Sequence, residues 1–333
     1  MMRPVSIVTG FLGSGKTTLI ARVLRDPDFA RTAVIVNEFG EIGLDHELIA
    51  SSDETLLALT TGCLCCAVRS DLVATLLDLQ ARREAGEIAF DRLLIETSGL
   101  ADPAPILQAL MTDTDVAAGH RLDTVLTVVD ALHGEAALER HTEARRQAAL
   151  ADRLALSKTD LAGSAETLRR RLAALNPTAP LLPSPDLTPL HLFSSADAAA
   201  RVDRLASLPV AARDPFRVGQ HSDGITSFVL RRDRPVPALA LTLLLQALAE
   251  HCGARLLRLK GLVDVAEMPG QPALIHGVQH VFTPPDFLPH WPSEDRTTRL
   301  VFITQGVPEH FPARLLAAIE AEVTEETQRR ESR

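Results

Sequence analysis

Short apolar runs recur along the first half of the chain: Val5 to Val8, Thr32 to Val36, Leu56 to Leu59, Leu93 to Ile95, Leu122 to Val129 and Leu154 to Leu156. Three of the six are rich in β-branched residues, and the runs lack strict polar alternation, which predicts strands buried on both faces. Between them the apolar positions change to helical spacing, as in Leu19 to Leu24 and in Leu72, Leu76, Leu77 and Leu79. A proline-started helix is expected from about Pro103. Strands that alternate with helices imply right-handed crossovers, hence an α/β fold with a mainly parallel sheet and helices on both faces. Ligands of such sheets bind at the C-terminal ends of the strands.

The pattern changes after Asn176, where prolines at 177, 180, 183, 185, 189, 209 and 215 break up any long element. The expected organisation is therefore an α/β domain over 1–175, a proline-rich connection over 176–223 and a smaller domain over 224–333. In that last part Thr226 to Arg231, Arg255 to Val265, Leu274 to Phe282 and Arg299 to Thr304 read as strands. Ala238 to Glu250 reads as a buried helix and Pro312 to Val323 as a closing one. The sum is an α+β domain, with a ferredoxin-like arrangement as one candidate plan.

Composition narrows the class. The chain has 333 residues, 46% of them hydrophobic, enough for a large core and two domains. A net charge of -9 argues against a surface built for nucleic acid or anionic membrane. No signal peptide is recognised at Met1-Met2-Arg3-Pro4, and Ala238 to Ala249 is too short to span a bilayer. Four cysteines, three of them within four positions, do not make a disulfide scaffold, so a reducing cytoplasm is the expected location.

The chemistry starts at Gly10-Phe11-Leu12-Gly13-Ser14-Gly15-Lys16-Thr17-Thr18, which satisfies GxxxxGK[ST] between a predicted strand and a predicted helix. Gly10, Gly13 and Gly15 permit the backbone angles and close approach by which several amides converge on phosphate oxygens. Ser14 and Thr18 belong to the same cradle, Lys16 should reach the β- and γ-phosphates, and the Thr17 hydroxyl should ligate Mg²⁺. Glu96 stands at a strand end before Thr97-Ser98-Gly99, where a carboxylate can hold Mg²⁺ and Gly99 can approach the γ-phosphate. A helix-capping turn is the other reading of those residues.

Ser157-Lys158-Thr159-Asp160 closes another strand and resembles the guanine-reading [NST]KxD motif. Guanine offers two donors, N1–H and the 2-amino group, to one carboxylate, so Asp160 should select GTP over ATP, while Lys158 lies along the base. Asn37-Glu38-Phe39-Gly40-Glu41 ends a strand in an acidic, glycine-punctuated loop that suggests a switch segment near the phosphates. Cys63, Cys65 and Cys66 form a CxCC cluster of soft ligands suited to Zn²⁺ and related metals, one ligand short of a closed tetrahedral site. An open position suits transfer; buried structural cysteines and a redox pair are the alternatives. The eleven histidines form no run, Cys252 reads as a small buried residue, and Trp291 reads as packing or as an anchor for a partner.

With its phosphate loop, NEFGE, GCLCC, ETSG and SKTD in this order, the chain resembles the CobW-like P-loop GTPases, relatives of the GTPases that insert nickel into urease and hydrogenase. The motifs cover about residues 3–162, and Leu259-Lys260-Gly261 with Arg299-Leu300-Val301-Phe302 resemble the family's C-terminal domain. The resemblance implies a metallochaperone that uses GTP and Mg²⁺ to deliver zinc, or in some members cobalt, to a client metalloprotein, and it leaves a nucleotide-dependent dimer open. It assigns Gly10 to Thr17 to the phosphates, Glu38 and Glu96 to the switch and Mg²⁺ regions, Cys63, Cys65 and Cys66 to the cargo, and Ser157, Lys158 and Asp160 to guanine. The histidine-rich stretch of many members is absent. A cargo-free regulatory GTP switch and a small-molecule kinase are the competing readings; the first predicts no effect of metal on turnover, the second ATP binding at least as tight as GTP.

Overall fold

The computed structural model describes residues 2–37, 56–59, 66–183, 188–193 and 224–331. The chain divides into two compact units, Met1–Ala173 with Ala179–Ser195, and Ala174–Thr178 with Ala196–Arg333.

In the first unit the apolar runs become strands β1 (Arg3–Thr9), β2 (Thr32–Asn37), β3 (Leu56–Leu59), β4 (Arg92–Thr97), β5 (His120–Asp130) and β6 (Arg153–Ser157). The intervening helices are α1 (Lys16–Leu24), α2 (Cys66–Glu84), α3 (Ala104–Thr112), α4 (Thr114–Gly119), α5 (Gly134–Arg140), α6 (Thr142–Leu150) and α7 (Glu166–Leu175). Among the described residues the sheet runs β3-β2-β4-β1-β5-β6-β7, with every pair parallel. Strand β7 (Leu181–Pro183), followed by the short helix α8 (Pro189–Phe193), lies within the stretch expected to be only a connection. Proline is tolerated there because, among the described residues, β7 is an edge strand with no ladder partner on its outer side.

Both faces of the sheet are covered, and this is why its strands read as unbroken apolar runs. Val8, Val34, Val36, Leu94, Leu126 and Val128 form one core with Leu19, Ile20 and Val23 of α1 and with Leu192 and Phe193 of α8. The alternate residues Val5, Ile7, Ile35, Leu93, Ile95 and Val125 are buried on the opposite face. Burying each such side chain contributes about 1.5 to 3 kcal/mol. Central β1 sits where the crossovers change direction, toward β2 on one side and β5 on the other, which is where a parallel sheet opens a ligand crevice.

The second unit holds strands β8 (Ile225–Arg232), β9 (Leu256–Val263), β10 (Ala273–Val278), β11 (Val281–Phe282), β12 (Asp286–Phe287) and β13 (Thr298–Gln305), with helices α9 (Ala238–Cys252) and α10 (His310–Glu331). Its sheet runs β11-β10-β9-β13-β8, and β12 pairs with β10. Parallel β8 and β9, joined by α9, flank β13 and are antiparallel to it, a split β-α-β unit. Strand β10 then turns to the outer side of β9, so the α+β class holds while the order departs from a ferredoxin-like sheet, whose third strand takes the inner place. The run read as one strand from Leu274 to Phe282 is a hairpin, because Gln279 adopts φ 54° and turns the chain. Leu241, Leu244 and Leu248 of α9 pack with Phe228, Leu259, Leu300, Phe302 and Leu316 of α10. Helix α9 is amphipathic rather than wholly buried, since Leu239 is 56% and Leu243 38% exposed. Trp291 packs beside Leu262, and Cys252 is buried. Among the described residues no helix is long and apolar enough to cross a membrane.

His120, at the start of β5, is 2% exposed. Burial holds its imidazole below the ordinary 6.5; a Val116 backbone hydrogen bond opposes this, and the Arg83 charge adds to it. The unfolded chain therefore binds the proton more readily than the folded one, and stability falls as pH drops through 6.5 toward the lower folded value. Thermal melts of the protein and of His120→Gln between neutral and mildly acid pH are expected to differ in slope, the variant losing less stability with acid. Parallel pH profiles would remove His120 from this role.

Candidate functional site

Helix α1 begins at Lys16 behind Gly15, whose φ of 91° is left-handed, and its first turn carries no acidic residue. The amides of that turn lack intrahelical acceptors, so the helix presents donors and positive potential to whatever lies in the loop. The loop passes so near β5 that a Cβ on Gly10 would lie 2.3 Å from the Val128 carbonyl oxygen. Any side chain at that position would displace either the loop or the strand.

Four of the loop's carbonyls accept side-chain hydrogen bonds. Lys16 Nζ donates to the oxygens of Gly10 (3.0 Å) and Phe11 (3.4 Å). Ser157 Oγ donates to the Ser14 oxygen at 2.6 Å, and Lys158 Nζ to the Gly13 oxygen at 2.9 Å. Phe11 stacks on His141 at the head of α6, ring centroids 4.5 Å apart. Ser14 is buried, and Thr18 lies exposed on the first turn of α1.

At the same edge Thr17 Oγ1 donates to Glu96 Oε1 at 2.8 Å, and Glu96 is 5% exposed at the end of β4. Thr97 donates across the sheet to Thr9, 2.7 Å away. Gly99 lies against the phosphate loop, for a Cβ there would fall 2.8 Å from the Leu12 nitrogen and 2.9 Å from its Cα. A hydroxyl and a buried carboxylate beside a glycine cradle are hard oxygen donors of the kind Mg²⁺ takes with bound phosphates. The residues present therefore fit a nucleotide with its Mg²⁺.

Lys158 also pairs with Asp130 Oδ2 at 2.8 Å, an acid at the end of β5 that the motif reading passed over. Asp130 Oδ1 accepts from the Leu132 amide (2.7 Å), and Oδ2 lies 3.2 Å from His133 Nδ1. Burial opposes ionisation of Asp130, but Lys158, the Leu132 amide and His133 outweigh it and leave the carboxyl below its ordinary value. Lys158 itself holds a left-handed φ of 55°, strain for a residue with a Cβ that its two anchored contacts maintain. The strand-end rule that singled out Glu96 would have found Asp130 as well.

Asp160 is exposed in the turn that follows β6. Glu38, Cys63 and Cys65 lie outside the described residues, and Cys66 opens α2. Among the described residues no group of three or more His, Cys, Asp and Glu side chains is placed to hold a metal.

A parallel sheet with a glycine cradle at its switch point and a buried strand-end acid beside the helix threonine defines a P-loop NTPase. More narrowly, the nucleotide-binding domain of the CobW/HypB/UreG family matches residues 4–183, and the cobalamin synthesis protein cobW C-terminal domain matches residues 225–321. The chain belongs to this family. It is 36% identical over 307 residues to the zinc chaperone YjiA of Escherichia coli strain K12, covering 92% of this chain and 95% of that one. The zinc-regulated GTPase metalloprotein activator 1 of Schizosaccharomyces pombe is 36% identical over 168 residues, 48% of this chain and 40% of its own length. The crystal structure of Zn(II)-bound YjiA GTPase from E. coli superposes with a TM-score of 0.74 at 28% identity, covering 96% of this chain and 99% of that one.

Lys158→Ala would release the Gly13 carbonyl and leave Asp130 without its main countercharge. Nucleotide affinity is expected to fall by about 1.5 to 3 kcal/mol, the scale of hydrogen bonds to a charged group. The loss should be equal for di- and triphosphate, because the lysine acts through the Gly13 carbonyl of a loop that both nucleotides share. Calorimetric titration of both checks this, and unchanged affinity would show that the lysine does not brace the loop.

Proposed function

We propose that this protein is a GTP-hydrolysing metallochaperone that binds zinc at Cys63, Cys65 and Cys66 and passes it to a client protein in a GTP-dependent step. The observation that carries the GTPase part is the Thr17 to Glu96 hydrogen bond at the mouth of a braced glycine loop, a hydroxyl and a carboxylate held in reach of one cation. Thr17 and Glu96 are the residues that would hold Mg²⁺, which when bound would supply neutralisation of phosphate charge. Lys16, whose ammonium group rests on two loop carbonyls, carries the positive charge for the β- and γ-phosphates. Gly10, Gly13, Ser14, Gly15 and Thr18 supply the cradle, with Gly99 beside it.

Base choice is assigned to the end of β6. Ser157 and Lys158 brace the loop, and Asp160, exposed in the following turn, is free to accept both donors of guanine. Asp160→Ala is expected to weaken GTP by about 1.5 to 3 kcal/mol and leave ATP nearly unchanged. Equal GTP and ATP affinity in the unaltered protein would end the guanine reading and favour a kinase.

The cargo assignment draws support from the relatives: the E. coli protein and the Pseudomonas aeruginosa protein CobW are both named zinc chaperones. Three thiolates without a fourth protein ligand in the motif form an open site, which suits release to a client. Because thiolates bind metal only after losing protons, zinc affinity should weaken as pH falls. By linkage, whatever factor GTP adds to zinc affinity, zinc adds to GTP affinity. The test is zinc affinity by chelator competition with Mg²⁺ and either a non-hydrolysable GTP analogue or GDP, repeated in Cys65→Ala and Cys66→Ala. Tighter zinc binding with the GTP analogue, lost in both variants, is expected. Equal affinity in the two nucleotide states, or unchanged affinity in both variants, would leave a GTPase without cargo.

A further inference from the structure

Gln147, on α6, is completely buried, and its Nε2 donates to two carbonyls of the loop after β4: Gly99 at 3.1 Å and Ala101 at 3.0 Å. Its neighbour Arg146 grips the same loop through Asp102, with Nε at 2.9 Å and Nη2 at 2.8 Å from Oδ2. Asp102 uses its other oxygen to accept from the Ala104 amide at 3.0 Å, the start of α3. Helix α6 is itself fixed to the site from two sides: the Gln147 carbonyl accepts from Thr127 of β5 at 2.8 Å, and His141 stacks on Phe11 of the phosphate loop.

Core stability alone does not account for Gln147. Its Oε1 is buried with no hydrogen-bond partner among the described residues, so the amide carries an uncompensated desolvation cost that an apolar side chain would avoid. What the amide gains is control of the loop's peptide planes. The Ser98 carbonyl is engaged by the Ala101 amide at 3.0 Å, and a trans peptide turns the Gly99 N–H to the opposite side, out of that turn. With the next carbonyl, that of Gly99, pulled toward Gln147, both planes that flank Gly99 are set. Gly99 meanwhile lies against Leu12 of the phosphate loop.

We propose that Gln147 and Arg146 are positioning residues for GTP hydrolysis: from α6 they clamp the Gly99–Asp102 loop so that the Gly99 amide is held ready for the γ-phosphate. This rests on the GTPase reading above and adds the element that acts on the γ-phosphate side of the site. Because GDP has no γ-phosphate, the clamp acts on the triphosphate state and on turnover, not on diphosphate binding.

The test uses the full chain and its variants Gln147→Met, which keeps the side chain's length without its donor, and Arg146→Ala, which cuts an exchange at the protein's partly exposed surface. Arg146→Lys, which retains the charge opposite Asp102, is the conservative rescue. Turnover, affinity for a non-hydrolysable GTP analogue and affinity for GDP are measured for each. Expected are a fall in kcat of roughly 10- to 100-fold in Gln147→Met and a smaller one in Arg146→Ala, each with weakened analogue binding, as displacement of a reacting-group partner produces. GDP affinity should stay within about twofold, and Arg146→Lys should recover most of the loss. Analogue and GDP affinities that fall together, or turnover unchanged in both variants, would overturn the clamp and leave these residues as packing. Failure of the unaltered protein to hydrolyse GTP would overturn the GTPase reading, and the clamp with it.

Discussion

The phosphate loop must keep enough of its amides available to a ligand while the chain around it is held still, and most of the first unit can be understood from that constraint. An unpaired amide in a loop ordinarily finds a carbonyl nearby and collapses onto it. Here several nearby carbonyls have other partners: those of Gly10 and Phe11 accept from Lys16, that of Gly13 from Lys158 and that of Ser14 from Ser157, while the Ser14 amide closes a turn onto the Phe11 oxygen at 3.1 Å. Since each peptide plane points its C=O and N–H to opposite sides, the Ser14 carbonyl held by Ser157 leaves the Gly15 N–H turned away from that side chain. The left-handed φ values of Gly13 (69°) and Gly15 (91°) allow consecutive planes to turn the same way, which residues with a Cβ resist.

The braces come from separate strands, and the sheet order makes this workable. Strand β1 delivers the loop, β4 on one side delivers Glu96, and β5 and β6 on the other deliver Asp130, Ser157 and Lys158. Parallel strands bring all these C-terminal ends to one edge, so contacts that span 79 residues (Thr17 to Glu96) or 145 (Gly13 to Lys158) become neighbours. The sheet's rigidity depends in turn on the double-sided burial of its strands. The site is therefore a product of the core: the apolar runs fix the strands, and the polar residue just beyond each run becomes a functional group.

This same relation explains what could be read from the sequence. Strands buried on both faces are the plainest kind, and the glycine loop, Glu96 and Lys158 are marked by strand-end position together with a spaced motif. Strand β7 escaped because an edge strand of three residues that includes Pro183 carries no apolar run of its own. The turn between β10 and β11 escaped because Gln279 takes a positive φ without the glycine or asparagine that usually announces one. The outer placement of β10 follows from tertiary pairing, which local pattern does not encode. Gln147 left no trace either: a single glutamine on a helix is ordinary surface composition, and only the backbone carbonyls it meets 46 and 48 residues away give it meaning.

The sheet also bears on how nucleotide and metal could be coupled. In parallel register Asn37 of β2 pairs with Thr97 of β4 on one side and with Leu59 of β3 on the other. Glu38 is the next residue after Asn37, Glu96 the one before Thr97, and the CxCC motif starts four residues beyond Leu59. The proposed switch and the proposed cargo thiolates thus follow two adjacent strand ends, of which β2 adjoins the strand that carries the carboxylate assigned to Mg²⁺ and β3 lies beyond it. Coupling at such a place does not require a long relay through the core. The free energy available to favour one metal-binding state equals the difference in its interactions with the two nucleotide states. Coupling through the far end of the sheet would instead have to strain seven close-packed strands, whose interior resists small continuous displacements.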